Sequence, residues 1–364
     1  MSDRSAAGPA TRVVAADELR RFVTAVLEHA YVLRPDAEFV ARVLVEADLR
    51  GVDSHGVTRL PGYLEMIERG LLRTQPDIRV VTDAGACALM DGDLGFGMLV
   101  ARDGMAQAID RAKRHGLGMV VARQAVHTGL VGYYTMTAAD QGCIGIAMNN
   151  GPTIVPAFGG VTPIYATNPI SAAFPAHHEE PVVLDMATSM VAAGKLRLAA
   201  KKGARIPTDW GTDANGKPTD DPVEVISNGF LQWAGGHKGY GLATVIELMT
   251  GVLSGGTFGF DSPALKHFGR DSLVQSATFI AIDIERFMPL EAYKSRVDRL
   301  VRDIHASKPA AGVKRVYAPG EPEFEHRRER MARGIPLSGA VFEELAVVGS
   351  RTGQRLSEPR PAGG

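Results

Sequence analysis

Cysteine is scarce. The 364 residues include only two, Cys87 and Cys143, with no close spacing. Neither a disulfide framework nor a zinc site built on thiolates is expected, and a reducing compartment fits. Charge of one sign is lacking as well. The formal net charge is −1 and no long basic run occurs, which argues against nucleic-acid binding and against a polybasic membrane contact. No apolar run reaches the roughly 18 residues that a membrane-crossing helix needs. The N-terminal MSDRSAAGPATRVVAADELRRF has no apolar leader segment. The expectation is a soluble cytoplasmic protein without a membrane or nucleic-acid partner, with flexible tails at 1–12 and 351–364.

Familiar fingerprints are missing too. No G-x-G-x-x-G follows a strand and opens a helix, as an ordinary Rossmann unit requires; GLGMVV (116–121) precedes a strand instead. AAGKLR (192–197) lacks the leading glycine and the hydroxyl of a phosphate-binding P-loop. There is no G-x-S-x-G hydrolase elbow. There is no H-E-x-x-H, and the ten histidines are scattered, so no metal site is expected.

What is present is ordinary globular material, 45% hydrophobic and 22% charged, long enough for a substantial core. Apolar spacing predicts helices over 14–32, 34–51, 63–72 and 95–116. The runs GMVVAR (118–123), IGIAMNN (144–150), ISAAFP (170–175), PVVLDMA (181–187) and ATFIAIDIERF (277–287) read as buried strands. Helices are expected at 134–142, 188–203, 240–256 and 291–307. The 240–256 segment is apolar nearly all round and is expected to be buried. This gives a helical N-terminal part (13–117), a central α/β part (118–290) and a C-terminal helical part (291–350) packing with the first.

Four clusters concentrate polar chemistry. In GVDSHGVTRLPGY (51–63), a helix over 55–63 would stack His55, Arg59 and Tyr63 on one face, an imidazole beside a cation that could fork onto a carboxylate. Pro61 complicates that helix, and Asp53 or Ser54 as a plain cap with a solvated face behind it would give the same pattern. In AVHTGLVGYY (125–134), His127 precedes a GxxG turn whose amides could approach an anion, or it simply satisfies a loop carbonyl. TNPIS (167–171) and VLDMATS (183–189) place Asp185 at a strand end, either as a ligand-facing acid or as an ordinary helix-entry carboxylate. In AGGHKGYGL (234–242), Lys238 opens a helix, where a cation is unfavourable by itself; that conflict suggests an anionic partner, although a solvated lysine in a loop is also compatible.

Together these stretches resemble one family, the lactate/malate dehydrogenases of the second, non-Rossmann type. The family includes malate, ureidoglycolate and sulfolactate dehydrogenases, diketogulonate reductase and Δ1-piperideine-2-carboxylate reductases. The resemblance spans about residues 14 to 350. It is carried by ADLRGVDSHGVTRLPGYLEMIERG, DGDLGFGMLVARDGMAQAIDRAK, ATNPISAAFP with VVLDMATS, GGHKGYGLATVIELMTGVLSGG and PGEPE. One departure stands out: many members carry Ser-Asn-His-Phe-Gly where this chain has Ala125-Val126-His127-Thr128-Gly129.

The resemblance implies an α/β, non-Rossmann mixed-sheet dehydrogenase fold with a helical substrate-side domain formed by both chain ends. It implies NAD or NADP as cofactor, a homodimer, and hydride transfer at C2 of a small 2-hydroxy acid/2-keto acid; some members act on cyclic imino acids or form N-alkyl amino acids. Arg59 is implied as the carboxylate clamp, with Tyr63 beside it. Either His55, in a relay with Ser54 and Asp185, or His127 is implied as the acid/base. An adjacent carboxylate such as Asp185 is expected to raise the His55 pKa. A direct Ser54–His55 contact requires irregular backbone, because neighbours on a regular helix diverge by about 100°. Cofactor contacts are expected from Thr128, Gly129, Asn150, Thr167, Asp185, Met186, Ala187, His237, Lys238 and Gly239. Pro319, Gly320 and Glu321 are expected at the adenosine end. Arg123, Lys201, Lys202, Lys314 and Arg315 are alternative 2′-phosphate partners. The contrasting reading is a catalytically idle scaffold, against which the joint presence of these residues argues.

Overall fold

A computed structural model describes residues 11–201, 203–262 and 274–356. The chain divides into two compact units, Met1–Gln75 with Glu321–Gly364, and Pro76–Gly320. Residues 76–117 and 291–320, read from sequence as belonging with the terminal helical parts, lie in the second unit. Of the expected tails, 1–10 and 357–364 lie outside the described residues, while Arg12 is in a strand and Arg351 and Thr352 close a helix.

In the first unit, β1 (Arg12–Val14) pairs antiparallel with β13 (Ile335–Leu337), joining the two ends of the chain. Around this pair run α1 (Ala16–His29), α2 (Arg34–Leu49), α3 (Leu60–Glu68), α10 (Glu321–Arg333) and α11 (Gly339–Thr352). α1 buries Leu19, Phe22, Val23, Val26 and Leu27, the stripe that three- and four-residue spacing produces. α2 opens with Pro35 in its first turn, where no intrahelical N–H is lost, and buries Val40, Val43 and Leu44. Near its end it also buries a carboxylate, Asp48.

The second unit is built on a seven-stranded mixed sheet. Its strands are β2 (Arg79–Ala84), β3 (Cys87–Gly95), β4 (Leu117–Ala125), β5 (Cys143–Asn149), β8 (Ile170–Phe174), β9 (Val182–Met186) and β12 (Gln275–Asp283), in the order β2-β3-β4-β12-β5-β8-β9. β3 and β4 are parallel, joined by α4 (Gly97–His115); the other neighbours are antiparallel. β12 lies between β4 and β5, and its near-continuous apolar run fits a strand covered on both faces. α5 (Val131–Asp140) follows β4, and its Tyr134 meets Phe279 of β12 edge to face at 6.3 Å. Two short ribbons, β6 (Val155–Pro156) with β7 (Pro163–Tyr165) and β10 (Gly211–Thr212) with β11 (Phe230–Leu231), accompany α6 (Ala193–Lys201), α7 (Pro222–Ser227) and α8 (His237–Glu247). α9 (Leu290–Ala306) completes the unit.

The expected helix at 240–256 begins earlier, as α8, and passes into a π-helical turn at Leu248–Val252. It is not buried all round. Ala243, Ile246, Glu247 and Thr250 face inward, but Leu248 is 54% and Leu253 56% exposed, with Val245 and Val252 also exposed. Among the described residues the helix packs on one side only, and the apolar residues of its other side are uncovered. Among the described residues no helix is long and apolar enough to cross a membrane.

Candidate active site

In the first unit, the GVDSHGVTRLPGY stretch is not one helix. Asp53–His55 and Val57–Arg59 form two separate 3₁₀ turns, with extended backbone at Gly56 (φ −87°, ψ −153°) between them. α3 starts only at Leu60, which places Pro61 in a first turn, where proline is tolerated. The single-helix stacking of His55, Arg59 and Tyr63 is thus replaced by a tighter, irregular arrangement. Ser54 Oγ lies 3.0 Å from His55 Nδ1, and Arg59 Nε donates to the Ser54 carbonyl at 2.7 Å. One serine therefore contacts the imidazole through its hydroxyl and the guanidinium through its backbone.

The electrostatics of this turn differ from expectation. His55 is pushed down to about 4, chiefly by burial and secondly by the Arg59 cation, rather than raised by a carboxylate. Tyr63 is buried, and burial drives its phenol upward, so it remains a neutral hydrogen-bonding group. Below the turn, Asp48 Oδ2 accepts the Val57 N–H at 2.9 Å. Asp48 carried no signal in the sequence, where it reads as one more position in a helix.

In the second unit, β4 ends at Ala125 and the loop 126–130 carries His127 to α5. Thr128 is buried, and its carbonyl accepts the Tyr134 hydroxyl at 2.6 Å. Gly129 follows at φ +71°, the left-handed backbone that suits glycine. The N–H of Gly132, in the first turn of α5, donates to Asp185 Oδ2 at 2.7 Å. Asp185 thus ties the end of β9 to an N-terminus whose partial positive charge favours an anion.

Beyond Asp185, Met186 and Ala187 lead to Thr188. Its N–H and hydroxyl both donate to the Thr167 carbonyl, at 2.9 and 2.8 Å, and its own carbonyl accepts Ala234 N–H at 2.9 Å. The TNP, DMATS and GGHKG stretches are thereby laced together through backbone groups. α8 opens behind Gly235 and Gly236, both at positive φ, with no side-chain cap; His237 and Lys238 are exposed there and Gly239 is buried. On the outer side of edge strand β9, Val183 N–H donates to the Pro319 carbonyl at 3.0 Å, and Gly320 lies against Val183. Glu321 falls in the first unit and opens α10.

Asn150 is 1% exposed, and its amide is engaged internally: Nδ2 donates to Glu247 Oε1 and the Thr257 carbonyl, and Oδ1 accepts Ser276 N–H. Glu247 also accepts Asn168 Nδ2 at 2.7 Å, and burial raises its pKa. Asn168 and Glu247 gave no sequence signal. Of the 2′-phosphate alternatives, Arg123 pairs with Asp91 at 3.2 Å and Arg315 stacks on Tyr317. Lys202 lies outside the described residues, as does the Lys201 side chain.

These residues fit an anionic dinucleotide. α8 offers an uncapped N-terminus with a lysine and a histidine in its first turn, a donor set for phosphate. The fully buried Asn168 Oδ1, whose Nδ2 bonds α8 at the Ala243 carbonyl, has no partner among the described residues.

Comparison with known proteins identifies the family. The malate/L-lactate dehydrogenase family profile matches residues 14–346. A malate dehydrogenase of Pyrococcus horikoshii is 40% identical over 344 residues, 93% of this chain and 94% of the relative. Its solved structure superposes with a TM-score of 0.87 at 37% identity, covering 95% of this chain and 97% of that one. An NAD(+) ureidoglycolate dehydrogenase of Escherichia coli is 33% identical, over 91% of this chain and 94% of the relative. The structure of a Δ1-piperideine-2-carboxylate reductase from Pseudomonas syringae gives a TM-score of 0.83 at 29% identity, covering 93% of this chain and all of that one. The chain belongs to the malate/L-lactate dehydrogenase family, and it is an oxidoreductase of hydroxy acids.

Proposed function

We propose that the protein transfers a hydride between the nicotinamide of NAD or NADP and C2 of a small malate- or lactate-like 2-hydroxy acid/2-keto acid. The observation that carries this reading is the Ser54–His55–Arg59 turn, which sets an acid/base group beside a fixed cation. Arg59 holds the substrate carboxylate, and its anchorage on the Ser54 carbonyl orients the guanidinium plane, so that part of the barrier is removed by positioning. His55 exchanges the C2-hydroxyl proton, with Ser54 fixing its ring. Tyr63 supports Arg59, and His127 is the alternative acid/base.

The bound cofactor supplies the hydride acceptor or donor. His237, Lys238 and the first-turn amides of α8 hold its phosphates, Gly239 lets that turn pack closely, and Thr128, Gly129, Thr167, Met186 and Ala187 line it. Asp185 fixes the α5 entry, Asn150 braces the frame, and Pro319 and Gly320 lie toward the adenosine end. The two free cysteines are consistent with a cytoplasmic setting. The exposed apolar side of α8 supports a homodimer.

The test is a fluorescence titration with NADH and with NADPH, followed by turnover on 2-keto acids, cyclic imino acids and pyruvate with methylamine. Tight binding of one dinucleotide, with oxidation by a 2-keto acid, is expected. Turnover on cyclic imino acids or only with methylamine would establish the imine-reductase reading, which the likeness to the piperideine-carboxylate reductase supports. Binding of neither dinucleotide would refute both.

A further inference from the structure

Asp48 is an unlikely residue for its place. It sits in the last turn of α2, where the helix dipole disfavours an anion, and it is 2% exposed, where desolvation disfavours one again. A buried carboxyl at such a point is retained only with specific partners, and its partners lie in the turn that carries His55 and Arg59.

Oδ2 accepts the N–H of Val57, the first residue of the second 3₁₀ turn, at 2.9 Å. Oδ1 occupies the space beside Gly56: a Cβ there would lie 1.9 Å from it. Glycine at 56 leaves the room that the carboxyl fills, and the chain passes over it as the extended break between the two 3₁₀ turns. That break sends the backbone away from helical geometry just after His55, in the stretch where Ser54 Oγ meets His55 Nδ1 and Arg59 Nε returns to the Ser54 carbonyl. From α10, Arg330 Nη1 donates to the Asp48 carbonyl and to the Asp53 carboxylate, fixing the outer end of the same turn.

We propose that Asp48 is a positioning residue for the Ser54–His55–Arg59 turn, setting the break at Gly56–Val57, with Arg330 as the outer anchor. This rests on the reading of His55 and Arg59 as the substrate-handling pair. The carboxyl is needed as an acceptor and a space-filling group, and its charge is dispensable. Burial, aided by the nearby Asp53 carboxylate and opposed by the Val57 N–H and Arg330, pushes it up to about 8, so the neutral acid prevails at neutral pH. Among the described residues, the Glu46 carboxylate shared by Arg50 and Arg327, and the His326 ring beside Gly51, also lie around the end of α2.

An amide should therefore replace the acid. The test compares Asp48→Asn, Asp48→Ala and Arg330→Gln in the full chain, reading three quantities: steady-state kinetics, NADH or NADPH binding by fluorescence, and the His55 pKa by NMR of isotope-labelled histidine. Asp48→Ala is expected to lower kcat/KM by about 30-fold or more, the scale of a misplaced reacting group. It should move the His55 pKa from about 4 toward 6.5 and leave dinucleotide affinity unchanged. Asp48→Asn should stay within about threefold of wild type because its carbonyl oxygen still accepts the Val57 N–H. Arg330→Gln, which leaves the carboxyl in place, should give a smaller loss of the same kind.

An unmoved His55 pKa in folded Asp48→Ala would overturn the proposal. So would an Asp48→Asn variant as impaired as Asp48→Ala. If Asp48→Ala fails to fold, Asp48→Asn and Arg330→Gln decide the matter by the same readouts. Wild-type kinetics in His55→Ala and Arg59→Met would instead refute the reading of the pair, while the NMR measurement would still report whether Asp48 sets the turn.

Discussion

Ser54 Oγ lies 3.0 Å from the Nδ1 of its immediate neighbour His55, a contact that a regular helix would not allow. Its chemical value depends on who donates. If the imidazole donates from Nδ1, its Nε2 carries the lone pair and can take a proton from a substrate hydroxyl. If Ser54 donates, Nε2 carries the hydrogen. A base in hydroxy-acid oxidation requires the first arrangement.

Ser54→Ala removes the group that holds that tautomer. The expected result is a fall in kcat of about 10- to 100-fold with KM for the acid little changed, since Arg59 keeps its anchor on a backbone carbonyl. Steady-state kinetics checks this. A loss confined to KM would show that the hydroxyl contacts substrate and does not orient the ring.

Two causes hold the His55 pKa near 4, burial and the Arg59 cation, and substrate acts on the second. A carboxylate on Arg59 cancels that charge and makes the imidazolium easier to form. Binding of an unreactive dicarboxylate such as malonate should therefore draw a proton from solvent at about pH 5.5. Calorimetry in two buffers of different ionisation enthalpy measures the uptake, and His55→Ala and Arg59→Met should abolish it. Stability has a related sign. Between pH 6.5 and 4 the unfolded chain protonates His55 while the folded one resists, so this contribution is present above pH 6.5 and is lost as pH falls through 4.

Much of the fold was legible from pattern alone. α1 and α2 announce themselves by a single apolar stripe, and β4, β5 and β12 by short β-branched runs between glycines. β2 and β3 were not legible. β2 is an edge strand with an almost wholly exposed sequence, RVVTDA, and so it lacks the period-two signal that burial writes into a strand. The break at Gly56 was hidden for a different reason. It is set by Asp48, nine residues upstream of its partner Val57, and by Arg330, 277 residues from its partner Asp53. No local window contains that information. The polar clusters themselves were visible because helix caps, glycines and a lysine at a helix entry conflict with plain solvent-facing roles. Their frame, Thr188, Asn168 and Glu247, was invisible because a buried polar residue looks like an exposed one until its partners are known.

The DGDLGFG stretch has a strict steric requirement at Gly97, the first residue of α4. A Cβ built there would stand 1.7 Å from the Val126 carbonyl oxygen and 2.8 Å from the His127 carbonyl carbon. Gly97→Ala must therefore push α4 away from the loop that carries His127. A loss of about 1–3 kcal/mol in denaturant unfolding is expected, as for other overpacked sites, together with at least a tenfold fall in kcat/KM. An unchanged unfolding midpoint would mean that the loop shifts freely, and would weaken the place of His127 in the site.

The exposed side of α8 and of the π-helical turn after it is the face that the proposed homodimer would use. Val245, Leu248 and Val252 recur at i, i+3 and i+7, Leu253 adjoins them, and Phe260, 78% exposed, follows shortly in sequence. Single exposed apolar residues are ordinary, but a run of them along one side of a helix is a surface that water disfavours and a second copy could cover. In a twofold dimer each substitution enters the interface twice, so charges there are doubly disruptive. Leu248→Glu with Leu253→Glu should convert a dimer into a species of 38.8 kDa by light scattering, with the fold intact by circular dichroism. If the wild-type chain already runs at 38.8 kDa, this face is not the dimer contact and its apolar character serves some other partner.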